Sequence, residues 1–266
     1  MTKPDLGAVF DAAHQHFAVL APILWNPMGQ ATVRLADPRP GERVLDVCCG
    51  AGASAIPAAR AVGPTGRVDA IDLSEQLLAQ GRANAPDLTQ LHFTAADATT
   101  WSGNDDGYDL VQCVYGVFFL PNMDADSARL ATLLRPGGRM VVTTWGRGSI
   151  MPVPVILAEA VRAEQAGATE PPAGRGPGER IETPESLGAW LTGLGLRDVT
   201  VTEQPHTMPL DADSAWALVM GSAMRLRLAG VERVDRVRER FVDLLADRKV
   251  HGMNAVSLIG MGRTAE

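Results

Sequence analysis

With 266 residues, 46% of them hydrophobic and 21% charged, the chain has the length and apolar content for one large α/β domain carrying a substantial lid. Its net charge of −7 argues against a general nucleic-acid binder, and no stretch reaches the ~20 uninterrupted apolar residues of a membrane helix. Cys48, Cys49 and Cys113 lie in apolar runs, offer neither a disulfide framework nor zinc-ligand spacing, and read as small buried residues of a protein in a reducing cytoplasm.

Residues 7–35 read as helical, with Val9, Phe10, Phe17 and Leu20 apolar, Pro22 and Pro27 as breaks, and Trp25 between them. Met1 to Asp11 lacks the basic-then-apolar pattern of a signal peptide. A helical segment ahead of the first strand packs across the sheet edge or over its ligand cleft. Phe17 and Trp25 therefore either cover a bound cofactor or fill core. His14 and His16 fall on different faces of such a helix, which disfavours a shared metal.

Val44, Leu45 and Val47 form a short β-branched run, followed by Gly50, Gly52, Ser54 and the apolar-rich Ala55 to Val62. Strand, glycine turn, helix opens a nucleotide-binding α/β unit, and the glycines let backbone turn tightly against a ligand. Gly63 to Gly66 is a turn, and residues 67–72 are a second strand closed by Asp72, about 20 residues beyond Gly52. That is the offset at which a carboxylate meets a ribose diol. A helix over 75–85 leads to a third strand at 91–94, with Asp97 just beyond it, and then to a polar loop over 101–107. A fourth strand spans 108–115, a helix 124–134, a turn 135–138 and a fifth strand 139–145.

Beyond Trp145 the alternation fails. Helices are expected at 154–166, after Thr183-Pro184, and at about 211–229 and 231–248. An irregular loop carries Gly167, Pro171, Pro172, Gly174, Gly176, Pro177 and Gly178. Val199 and Val201 mark a sixth strand, and 256–260 a last one.

Gly50-Ala51-Gly52-Ala53-Ser54-Ala55 matches a dinucleotide fingerprint, so a nicotinamide oxidoreductase is one alternative. Asp46 opposes it, because a carboxylate before the glycines repels a pyrophosphate and welcomes a cation. Only Lys3 and Lys249 are present, which rules out a Tyr-x-x-x-Lys relay, and no Lys-Ser or Lys-Thr follows the glycines to make a P-loop.

Five segments in order carry a resemblance: Val44 to Gly52, Ala70 to Ser74, Ala96 to Ala98, Tyr108 to Val111, and Leu134 to Arg139. Together they resemble the motifs of class I S-adenosylmethionine-dependent methyltransferases. Tyr115 to Pro121 is similar to the branch containing ubiquinone and menaquinone biosynthesis enzymes. Cys48 stands where many members have a third glycine.

The resemblance implies a Rossmann-like, mostly parallel seven-stranded sheet with an antiparallel last strand. Residues 1–40 would form an N-terminal helical segment over the cleft, 41–147 the cofactor core, and 148–266 a helical lid with the last two strands. It implies S-adenosylmethionine as cofactor, with Asp46, Cys48 and the Gly50, Ala51 and Gly52 backbone near its methionine part. Asp72 would accept the ribose hydroxyls, and Leu73 would pack on the adenine. Asp97 and Ala98 would read the adenine edge, and Cys113 would border the methionine end.

An acceptor pocket lined by Phe17, Trp25, Tyr115, Phe118 and Phe119, with Met220 and Met224 as adaptable surface, suits a small aromatic or apolar molecule. No metal, nucleic acid or membrane is expected as a partner, and a homodimer is left open. A catalytically silent relative is the remaining alternative. His14, His16, His206 and His251 are candidate bases with no ground for choosing among them.

Overall fold

The computed structural model describes residues 5–103, 106–164 and 176–266. Its N-terminal segment comprises α1 (Leu6–Asp11), α2 (His14–Leu20), a π-helical turn (Ala21–Trp25) and α3 (Asn26–Ala36). The two prolines do not break this run as expected. The chain stays in right-handed helical conformation from Leu20 through Asn26, Pro22 lies in the π turn, and the Ile23 carbonyl, which Pro27 cannot serve, accepts from His206 Nε2 at 2.7 Å.

Next come β1 (Arg43–Val47), α4 (Ala55–Val62), β2 (Arg67–Asp72), α5 (Glu75–Asn84), β3 (Leu91–Ala95), β4 (Tyr108–Val114), α6 (Met123–Ala131) and β5 (Leu134–Trp145). The remainder is α7 (Val153–Glu164), α8 (Pro184–Gly193), β6 (Arg197–Gln204), β7 (Thr207–Pro209), α9 (Ala212–Met220), α10 (Val234–Asp247), β8 (Gly252–Asn254) and β9 (Ser257–Arg263).

Three boundaries differ from expectation. Leu134 starts β5 rather than ending a helix, and the expected turn at Arg135 to Gly138 is a bulge between the pairings Tyr108–Leu134 and Leu110–Arg139. The helix expected over 211–229 splits into α9 and a 3-10 turn, Ala223–Leu228. There is no room beside Gly221, where an added Cβ would stand 2.7 Å from Ala217 O and 3.0 Å from the backbone of His16 and Phe17. Gly167, Pro171, Pro172 and Gly174 lie outside the described residues.

Seven strands form one sheet in the order β3-β2-β1-β4-β5-β9-β6, and β7 and β8 pair as a separate ribbon. The first five are parallel neighbours, and β9 runs antiparallel to both β5 and β6. The sheet thus has the expected seven strands and reversed last strand. On one face α3, α4 and α5 cover Val44, Val68, Leu110 and Val141; on the other, α6 and α8 cover Leu45, Val111, Met140 and Leu258. Burying side chains such as these contributes about 1.5–3 kcal/mol each.

A third core joins the N-terminal segment to the lid through Leu20, Leu24, Ile156, Trp216 and Phe241. Strand order reverses between β1 and β4. Open α/β sheets bind ligands at such a switch point, beyond the carboxyl ends of the strands.

Candidate active site

At the exit of β1 the backbone enters left-handed conformations at Cys48 (φ 56°), Gly50 (φ 53°) and Gly52 (φ 85°). The turn is held by Cys49 N–H donating to Ile71 O at 3.0 Å and Gly52 N–H to Cys49 O at 2.9 Å. Gly52 is required twice, by its φ and by space, since an added Cβ would lie 2.8 Å from Phe93 Cζ. Ser54 at the start of α4 does not cap the helix with its side chain; the hydroxyl instead donates to Asp46 Oδ2 at 2.6 Å.

Asp46 is fully buried, and its Oδ2 also accepts from Gln112 Nε2 at 2.8 Å across the β1–β4 pairing. Asp46 Oδ1 and Gln112 Oε1 are buried acceptors without a partner among the described residues. Burial pushes the Asp46 carboxyl up to about 7; the Ser54 and Gln112 bonds pull against it, and Asp72 adds to it. The fold therefore favours the neutral acid. That stabilisation is full below the unfolded carboxyl's value near ~4 and is lost as pH rises through about 7. Between about pH 5 and pH 8 the melting temperature of the unliganded protein is expected to fall more steeply than that of Asp46→Asn; parallel curves in calorimetry would show that Asp46 does not titrate there.

Asp72 closes β2. Its Oδ2 accepts the Gly50 amide at 2.8 Å and its Oδ1 the Ser74 amide at 2.9 Å, so it ties the glycine turn to the start of α5. Burial raises its pKa and Asp11 adds to the shift, while the backbone bonds oppose it. Leu73 beside it is half exposed. Ala96 N–H donates to Asp72 O at 3.0 Å, which brings the Asp97 loop alongside. Asp97 is exposed, its Oδ1 accepting from the Thr99 amide and hydroxyl, both at 2.8 Å, and Ala98 is buried behind it. Cys113 is buried against Cys48; a Cβ on Gly116 would lie 2.6 Å from both Cys113 Sγ and Cys48 Cβ. The structure thus gathers Asp46, Cys48, the Gly50–Gly52 turn, Asp72 and Cys113 at the switch point, with Leu73, Asp97 and Ala98 at its edge.

The five aromatic residues expected to line one pocket form two groups. Phe17 rests on Gly50 and stacks on Trp25, with ring centroids 5.0 Å apart. Trp25 meets Tyr115 edge-on at 5.9 Å, and Tyr115 stacks on Trp145 at 4.2 Å. Phe118 and Phe119 contact each other, and Phe119 meets Phe10 of α1 edge-on at 5.5 Å. Trp145 belongs to this cluster without being singled out from the sequence, although an aromatic ending the strand beside β4 is a usable signal.

Tyr115 holds φ at 55° and bonds Ser257 through its hydroxyl. Ser257 spends its own hydrogen on Ala255 O, so Tyr115 is the donor; burial raises its pKa and makes it a brace rather than a base. His14 Nδ1 pairs with Asp11 O and His206 Nε2 with Ile23 O, each at 2.7 Å, the latter anchoring the π turn. Burial lowers the pKa of His16, with Arg225 and Arg238 acting in the same direction. Met220 and Met224 pack partly buried against the lid core.

The Asp72 carboxylate closing β2, the buried Asp46 carboxyl near the end of β1, and Gln112 Oε1, a buried acceptor without a partner among the described residues, fit a cofactor that brings hydrogen-bond donors and oppose a pyrophosphate. Among the described residues no group of three His, Cys, Asp or Glu could hold a metal ion, and no helix is long and apolar enough to cross a membrane.

This sheet order, with its reversed β9, is the one that the resemblance to class I S-adenosylmethionine-dependent methyltransferases implies. A methyltransferase-domain family model matches residues 44–138. The chain is 31% identical to the nocamycin O-methyltransferase of Saccharothrix syringae over 82% of this chain and 79% of that one. It is 35% identical to the aklanonic acid methyltransferase DauC of a Streptomyces species, over 53% of this chain and 66% of that one. Its fold is shared with phosphoethanolamine N-methyltransferase 2 of Haemonchus contortus, solved with S-adenosylhomocysteine (TM-score 0.54, 15% identity, 90% of this chain and 53% of that chain). The chain belongs to the S-adenosylmethionine-dependent methyltransferase family. S-adenosylmethionine is its cofactor.

Proposed function

We propose that the enzyme methylates an oxygen of a small aromatic or polyketide-like molecule held against the Trp25–Tyr115–Trp145 cluster. The observation that carries this reading is the position of that cluster. Tyr115 follows β4 and Trp145 ends β5 on the side of the switch point, Phe17 joins the cluster to the glycine turn, and the cluster's rings are fixed by stacking and by the Tyr115–Ser257 bond. The name of one relative, an O-methyltransferase, supports oxygen as the acceptor atom, and that of the other, a methyltransferase of aklanonic acid, supports a small-molecule acceptor.

The cofactor supplies a methyl group already made electrophilic by its sulfonium. In this reading Asp72 accepts the ribose hydroxyls, Leu73 packs on the adenine, and Asp97 with the Ala98 amide reads the adenine edge. Asp46 and the Gly50–Gly52 backbone hold the methionine part, bordered by Cys113. The aromatic cluster orients the acceptor and keeps water out, a positioning effect worth up to about 7–11 kcal/mol in favourable cases. Phe118, Phe119 and Phe10 form the pocket's outer wall.

The test is mass spectrometry of a metabolite extract incubated with the enzyme and S-adenosylmethionine. A small aromatic compound is expected to gain the mass of one CH₂. Trp25→Ala is expected to lose at least tenfold in that turnover while keeping S-adenosylhomocysteine affinity within about threefold. Methyl label entering protein or RNA instead would contradict the reading.

A further inference from the structure

The N-terminal segment touches α5 and the turns after β1 and β2 once per helical turn, always from the same side. Gly7 lies on Leu73, where an added Cβ would stand 3.2 Å from Leu73 O. Asp11 Oδ1 accepts from Ser74 Oγ at 2.7 Å and from the Gln76 amide at 3.0 Å. The His14 carbonyl accepts from Gln80 Nε2 at 3.1 Å. The Phe17 ring packs on Gly50, its Cζ 3.2 Å from where a Cβ would be. Gly7 and Asp11 lie on α1 and His14 and Phe17 on α2, at the three- and four-residue spacing that keeps all four on the same side of the segment. Their partners run from the end of β2 along α5 and back to the glycine turn.

We propose that α1 and α2 form a strap closed over the cofactor site, and that Asp11 is the latch setting how fast the cofactor and its product exchange. Ser74 couples the two. Its amide holds Asp72 Oδ1, its hydroxyl oxygen accepts from the Leu77 amide as the N-cap of α5, and its hydroxyl hydrogen goes to Asp11. The Asp11 carboxylate also lies at the positive end of α5. Behind the strap, Ala13 and Leu20 are fully buried, and the backbone of His16 and Phe17 abuts Gly221. Asp11 acts as a positioning residue, outside the residue 44–138 segment that defines the family match.

The latch is made without any ligand, so loosening it opens the way in and the way out together. Surface plasmon resonance with S-adenosylhomocysteine as analyte reads both rates. Asp11→Ala is expected to speed association and dissociation at least tenfold each, leaving Kd within threefold of the unmodified protein. Asp11→Asn keeps the Oδ1 that accepts both bonds and is expected to behave as the unmodified protein. Unchanged rates in Asp11→Ala, a rise in Kd through dissociation alone, or Asp11→Asn matching Asp11→Ala would each overturn the proposal. If Asp11→Ala does not fold, Gln80→Met removes the neighbouring tie and is judged by the same rates. S-adenosylhomocysteine carries no methyl to transfer, so the result is independent of the acceptor proposed above.

Discussion

Asp72→Ala is expected to weaken S-adenosylhomocysteine binding at least tenfold in equilibrium dialysis while the protein stays folded. The carboxylate is partly buried, and burial together with Asp11 makes its charge unfavourable in the fold. Removing it relieves that cost and releases the Gly50 and Ser74 amides it holds at 2.8 and 2.9 Å. Stability is therefore expected to change little. The affinity suffers more. Two charge-assisted bonds to ribose hydroxyls, about 1.5–3 kcal/mol each, would be lost, and the glycine turn would lose its tie to α5. A Kd within threefold of the unmodified protein would show that Asp72 is a structural staple for the turn and not a cofactor ligand.

Gly29→Ala is expected to be the most damaging glycine-to-alanine change among the described residues. Gly29 lies in α3 where that helix crosses the loop after the glycine turn. A Cβ there would stand 2.3 Å from Ala53 O, 2.5 Å from Ala53 C and 2.8 Å from Ser54 N. All three are backbone atoms, so no side-chain tip can swing aside and the helix itself has to move. Overpacking of this kind costs typically about 1–3 kcal/mol, and a rigid backbone puts this site at the upper end. For a chain of this length that corresponds to a melting temperature lower by roughly 6–12 °C. The displaced loop carries Ser54, whose hydroxyl holds Asp46, so cofactor affinity is expected to fall as well. Gly193→Ala is the control: nothing lies within 4 Å of its added Cβ, and its melting temperature is expected to match the parent's. A Gly29→Ala protein melting with the parent would contradict the close crossing of α3 over the loop.

The cradle was legible in the sequence because it rests on demands that few residue types meet. Gly50 and Gly52 hold positive φ, and Asp72 follows them at the spacing set by one helix and one strand. The reversal of β9 was not legible from residues 256–260 alone, whose apolar run says nothing about direction; it came with the family resemblance. Gln112 could have been noticed as the one amide in an apolar strand, but its role depends on register, which sets it opposite Asp46. Trp145 reaches the aromatic cluster only because β4 and β5 end side by side. The β7–β8 ribbon has three residues per strand, too short for an alternation pattern to register. Asp11 looks in sequence like any surface carboxylate at the end of a short helix, and only the fold of α5 beneath it gives it partners.

The most direct test of the account is calorimetric titration of the unmodified protein with S-adenosylhomocysteine and, separately, with NADH. A single saturable site for S-adenosylhomocysteine and no heat from NADH is the predicted result. Silence toward S-adenosylhomocysteine, or saturable binding of NADH, would contradict the assignment of the glycine turn, Asp46 and Asp72 to a sulfonium cofactor.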